Sequence, residues 1–180
     1  IDAVGLIPGN TYYVRVYDYY TSTGGDPFDI CVVGAPTAIP SNDEPCTAIA
    51  LPPVTSACSY LNFTTVGATT TTTPGAPSSC VGGSGAAIGG YTTGTADVWF
   101  SVEAPASGEL FITPQPGYGI SDGVMVLYSG TCGSLTQITC SDDNNYPGSS
   151  NDLLPYIAET GLTPGQTYYI RYFGFGTSTG

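Results

Sequence analysis

The residues best equipped for chemistry sit in one short run, Ser141-Asp142-Asp143-Asn144-Asn145, with Asp122 just ahead of an apolar stretch. These side chains offer oxygen ligands and nothing softer. Calcium takes roughly six to eight oxygen ligands and is served by such acidic loops without His or Cys. Asp122, Asp142, Asp143 and Asn144 are therefore candidate calcium ligands. Asp43, within Asn42-Asp43-Glu44, is a further one, at the domain entry, where a cation would stiffen the interdomain joint. EF-hand spacing is absent. The competing reading is a plain polar turn, since Asp and Asn bond to their own backbone there. The sequence alone leaves both open.

Other chemistry is poorly supplied. The chain has no His and no Lys, so the commonest general bases are missing. No Ser-His-Asp arrangement exists. Gly82-Gly83-Ser84-Gly85-Ala86 is not a nucleophile elbow and reads as a loop. A carboxylate pair can cleave a glycosidic bond, but Asp142 and Asp143 are neighbours and need not face one cleft. The expectation is a protein that is not an enzyme. A net charge of −12 with only two Arg repels phosphate backbones and anionic membrane surfaces. No apolar run is long enough for a membrane-spanning helix. Arg15, Arg171 and Trp99 have sharp readings, as a ligand-binding cation and a carbohydrate platform. The expectation for each is packing instead, with the arginines stacked on Tyr or paired with an acid.

Six cysteines and the absence of any CxxC pair favour disulfides over zinc and imply an oxidising compartment. Cys132 and Cys140 flank a short Gly-containing stretch and are expected to pair. Cys46 and Cys58 are close enough in sequence to form a second pair. Cys31 and Cys80 remain.

An internal repeat alters their meaning. Residues 1–24 (IDAVGLIPGNTYYVRVYDYYTSTG) align without gaps on residues 157–180 (IAETGLTPGQTYYIRYFGFGTSTG), and 13 of the 24 positions are identical. The expected organisation is residues 1–33 as the closing strands of a preceding repeat, 34–42 as a linker and 43–180 as one repeat lacking its final strand. On this reading Cys31 belongs to the earlier copy. Cys80 then either lacks its partner or is stapled by Cys31 across neighbouring units. Completion of one subunit's open sheet by another, through strand addition, is a second explanation of the overlap. The modular reading expects residues 11–17 and 166–173 to occupy equivalent surroundings.

Gly, Pro, Ser and Thr punctuate the chain every few residues, which favours short strands over helices. Alternation and β-branched or aromatic content predict strands over 11–17, 28–32, 60–65, 68–73, 97–103, 109–113, 123–128, 135–140 and 166–173. In the last, Tyr168, Ile170 and Tyr172 point one way and Tyr169, Arg171 and Phe173 the other, so a central strand covered on both faces is expected. Pro164 and Gly165 before it occupy the first and second central positions of a type II turn. The fold class is all-β: an antiparallel sandwich of jelly-roll type with about eight or nine strands, disulfide-bonded.

Several segments carry a family resemblance. Asp97-Val98-Trp99-Phe100-Ser101-Val102-Glu103-Ala104-Pro105-Ala106-Ser107-Gly108 resembles the DVWFSFTAPASG segment of bacterial pre-peptidase C-terminal-type domains and their relatives. The run from Asp122 to Gly130, the Cys140-Ser141-Asp142-Asp143-Asn144 loop, the run from Gly161 to Arg171 and the opening Asn42-Asp43-Glu44-Pro45-Cys46 resemble further landmarks of those units. The resemblance implies tandem β-sandwiches in large surface proteins of bacteria using the type IX secretion route. An extracellular structural or adhesive repeat of a stalk, fibre or filament is then expected, with neighbouring repeats or like subunits as partners. The alternative is a non-catalytic module for a glycan or a surface, appended to a secreted hydrolase. Tyr17, Tyr19 and Tyr20 would be its exposed aromatic platform.

Overall fold

Alternating apolar residues on both faces of three runs set the architecture. The computed structural model describes residues 10–17, 27–32, 38–77, 80, 95–115, 119–143 and 153–176. Contacts divide the chain into two units, Ile1–Val33 and Gly34–Gly180. Among the described residues of the second unit seven strands form: β1 Ile49–Ala50, β2 Asp97–Glu103, β3 Leu110–Ile112, β4 Gly123–Thr131, β5 Ser134–Ser141, β6 Ile157–Glu159 and β7 Thr167–Gly174. The described residues contain no α-helix, only a 3-10 turn at Pro45–Thr47.

The strands make a five-stranded sheet in the order β1-β2-β7-β4-β5 and a two-stranded sheet, β3-β6. β2, β7, β4 and β5 pair antiparallel, while β1 adds to β2 in parallel, so the large sheet is mixed. Period-two alternation gives each central strand two buried faces. Val98, Phe100, Val102, Met125, Leu127, Tyr168 and Ile170 join Leu110 and Ile157 of the small sheet in one core, which makes the unit a β-sandwich. Trp99, Val124, Val126, Tyr128, Cys140 and Phe173 form a second cluster on the opposite face. Each such side chain contributes about 1.5–3 kcal/mol on burial. The expected facing of β7 is found: Tyr168 and Ile170 lie in the first core and Phe173 in the second. The turn before β7 closes by Gln166 N–H donating to Thr163 at 3.1 Å, and Gly165 has the φ of 77° that a type II turn requires.

Two disulfides form, Cys46–Cys132 and Cys80–Cys140, with Cα atoms 4.8 and 4.3 Å apart. The expected Cys132–Cys140 pair is therefore corrected. Strand β5 itself separates those residues by roughly 25 Å at the usual rise per residue, far beyond the reach of a disulfide. The expected Cys46–Cys58 pair is corrected too. Cys46 anchors the first turn of the domain to the β4–β5 hairpin, and Cys58 is exposed and free, as is Cys31. Cys80 has a partner within its own unit.

Several predicted strands are not formed. Residues 60–65 lack a ladder, although Phe63 packs on Phe100 with centroids 4.6 Å apart. Residues 68–73 have no neighbouring strand among the described residues, and carboxylates take their amides: Thr69 N–H donates to Asp43 at 2.6 Å and Thr71 N–H to Asp97 at 3.1 Å. Residues 11–17 and 28–32 are exposed and carry no strand. A strand is a paired object, and the described residues of 1–33 supply no partner. The expected equivalence of surroundings for 11–17 and 166–173 is not seen among the described residues; residues 1–9, 18–26 and 33, which would flank the first segment, lie outside them.

Candidate functional site

The antiparallel ladder between β4 and β5 decides which acidic residues meet. Met125 is opposite Ser141, so Asp122, just before β4, and Asp142 and Asp143, just after β5, fall at the same end of the hairpin. One carboxylate oxygen from each of Asp122, Asp142 and Asp143 lies within 4.8 Å of the others. Asp142 is buried at 3% exposure, Asp122 is half-buried and Asp143 is exposed. The Oδ1 atoms of Asp122 and Asp142 are buried and have no hydrogen-bond partner among the described residues.

The scaffold holds this corner from several directions. Gly123 N–H donates to Leu153 at 3.0 Å, and Phe175 N–H donates to the Asp122 carbonyl at 3.0 Å. Tyr156 N–H donates to Ser141 Oγ at 2.9 Å. The Cys80–Cys140 bridge lies two residues before Asp142. Burial, then repulsion from Asp143 and Asp122, pushes the Asp142 carboxyl up to about 6. Burial and then Asp143 also raise Asp122. Tyr172 is pushed up to about 12 by burial and then by Asp122, so its hydroxyl stays neutral.

The structure gathers three of the five sequence-derived candidates. Asn144 lies outside the described residues, as does the 82–86 loop. Asp43 is not in the cluster: its two oxygens accept from Thr69 N–H at 2.6 Å and Thr69 Oγ1 at 2.7 Å. Its neighbour Asn42 is 3% exposed and clamps β2, donating to the Trp99 carbonyl at 3.1 Å while its own carbonyl accepts Trp99 N–H at 2.8 Å. The acidic start of the domain thus braces β2 and the 68–73 segment.

Arg171 has the packing role expected of it. It is fully buried and pairs with Asp97 at 2.5 Å. It also donates to the carbonyls of Thr71 at 2.9 Å, Pro74 at 3.2 Å and Gly75 at 2.9 Å. Its guanidinium lies 5.3 Å from the Trp99 ring centroid and 5.7 Å from that of Phe173. Trp99 is fully buried and donates to Thr71 Oγ1 at 2.8 Å, so it is core and no sugar platform. Sequence reasoning missed Thr71, whose hydroxyl donates to Asp97 at 2.5 Å. A lone Arg and a lone Trp sharing one face with Asp97 were the available signal.

The fold and site define a disulfide-bonded β-sandwich with a sealed ion pair in one face and an acidic corner at one end. A family profile of type IX secretion system-associated domains, described as galactose binding domain-like, matches residues 41–179, and the chain belongs to that family. No curated protein and no solved structure matches the chain. Of the resemblance read from the motifs, the type IX association is the part this match carries. Together with the disulfides it points to a secreted or cell-surface protein. No helix among the described residues is long and apolar enough to cross a membrane.

Proposed function

We propose that the chain is a non-catalytic structural or adhesive module, one of a series of similar units in a bacterial surface stalk, fibre or filament. The observation that carries this reading is the second copy, in residues 1–24, of the sequence that forms β6 and β7. Those strands lie inside the sandwich and their side chains fill both clusters, so the copied sequence is one suited to a like sandwich. The cysteines support it. Within the sandwich four are paired and Cys58 is left free, while Cys31 follows the first copy of the β7 sequence and is free as well. A series of units would match each Cys58 with a cysteine at the place of Cys31. The family match, to a galactose binding-like fold, is consistent with a module that holds or binds rather than reacts.

The test is non-reducing peptide mapping of the protein as the bacterium exports it, with electron microscopy of the same material. The expected result is Cys58 bridged to a cysteine of the Cys31 type and elongated, beaded particles. A Cys58 recovered as a free thiol in compact, single particles overturns the reading. Saturable binding of such particles to one sugar on a glycan array would replace it with the glycan-binding alternative.

A further inference from the structure

We propose that Asp122, Asp142 and Asp143 form a calcium site that ties the start of β4 to the end of β5. The inference is independent of whether the units are repeated. Three carboxylates whose oxygens lie within 4.8 Å of one another repel wherever they are ionised, and a cation among them turns that repulsion into attraction. The sandwich has no spare cation for that task. Arg171 is the only basic residue after position 33, and it is committed to Asp97 on the face carrying Trp99 and Phe173. A surface cluster of acids relaxes by turning into water, but this one is held. Asp142 is 3% exposed, and the buried Oδ1 atoms of Asp142 and Asp122 meet no donor among the described residues. A buried polar atom without a partner carries a large desolvation cost, which a bound ion removes.

The chemistry of the donors selects the ion. All are hard oxygens, with no imidazole near them, since the chain has no His, and with Cys140, two residues before Asp142, consumed in a disulfide. That set disfavours zinc and copper. Calcium accepts irregular oxygen cages and completes them with water, whereas magnesium demands a near-ideal octahedron. Exposure of Asp143 leaves a route for the ion and for its waters. The corner is also pre-formed. The ladder, the Cys80–Cys140 bridge and the bonds of Gly123, Phe175 and Tyr156 fix the positions from which the carboxylates project.

The experiment is calorimetric titration of calcium chloride into the chelator-stripped full chain, with thermal melts of the same samples. Magnesium chloride serves as the competitor. One calcium per chain and a rise in melting temperature that grows with calcium concentration are expected, with a much smaller rise for magnesium. Asp142→Asn should weaken calcium about tenfold or more, because an amide replaces a buried anionic ligand. It should leave the chelated protein at least as stable as the wild type, because repulsion is relieved. That second readout separates a metal ligand from an aspartate that merely supports the fold, whose loss lowers stability with or without calcium. Glu109→Gln, at an exposed site away from the cluster, should bind as the wild type does. Absence of calorimetric binding together with an unchanged melt overturns the proposal, as does a calcium response of the same size in Asp142→Asn. Either result leaves the modular reading standing.

Discussion

Residues 11–17 and 167–173 are nearly the same heptapeptide, TYYVRVY and TYYIRYF, in two settings. In the first, Tyr13 and Tyr17 are 94% and 76% exposed and no strand forms. In the second, the heptapeptide is the middle of a five-stranded sheet, and Arg171 and Phe173 are fully buried. One feature is common to both. The guanidinium of Arg15 lies 5.6 Å from the ring centroid of Tyr17, and that of Arg171 lies 5.7 Å from Phe173. This stacking is local, between residues two apart on one face, and needs no sheet. What the first copy lacks among the described residues is non-local: a strand on either edge and a carboxylate for the guanidinium. Intrinsic strand preference spans only about 1 kcal/mol, so partners decide.

The largest expected effect tests that contrast directly. Arg171→Met leaves the Asp97 carboxylate buried without its counter-ion and should lower unfolding free energy by about 3–5 kcal/mol. Arg15→Met removes an exposed stacking contact and should leave the urea midpoint where it was. Equal losses at the two positions would end the distinction between the copies. A smaller effect sharpens it. The triple substitution Ile170→Val, Tyr172→Val and Phe173→Tyr writes the sequence of residues 11–17 into β7. The product should keep its β-sheet circular dichroism and lose about 2–4 kcal/mol, from lost volume and one buried hydroxyl. Loss of the sheet altogether would mean that the first copy is no longer a competent strand sequence.

The same dependence on partners explains how far the sequence could be read. Strands β2, β4, β5 and β7 were legible because Val98, Phe100 and Val102, or Val124 and Val126, alternate over a full strand length. β1 and β6 were not, since two or three residues show no period and exist only by pairing with β2 and β3. Residues 68–73 have the composition of a strand, but their ladder partners are the side chains of Asp43 and Asp97, which no periodicity reveals. The acidic corner was legible in part. Asp122 and Asp142 are separated by strands whose hairpin pairing follows from order, so their meeting was readable. Asp43 stands apart from the corner and holds Thr69, and in sequence a carboxylate that braces a backbone looks like one that binds a metal. Disulfide pairing depended on which strand ends coincide, which only the ladder supplies.

The smallest expected effect concerns carboxylates in unlike company, as the first concerned arginines. Asp97 faces a guanidinium, whereas the charged groups that act on Asp142 are the like charges of Asp143 and Asp122, and the neutral Tyr172 of β7 lies by Asp122. With chelator present, the folded state holds the Asp142 proton up to about pH 6, while the unfolded chain releases it near the ordinary carboxylate value. The folded state therefore binds more protons across that window, and its stability is full below about pH 4 and falls as pH climbs through about 6. Thermal melts in chelator at about pH 4 and about pH 7.5 should differ by a few degrees in the wild type, with the lower melt at the higher pH. Asp142→Asn should flatten that difference, because its side chain carries no proton to lose. A wild-type melt that rises over the same range would show that the carboxylates at this corner are not held together against their own repulsion.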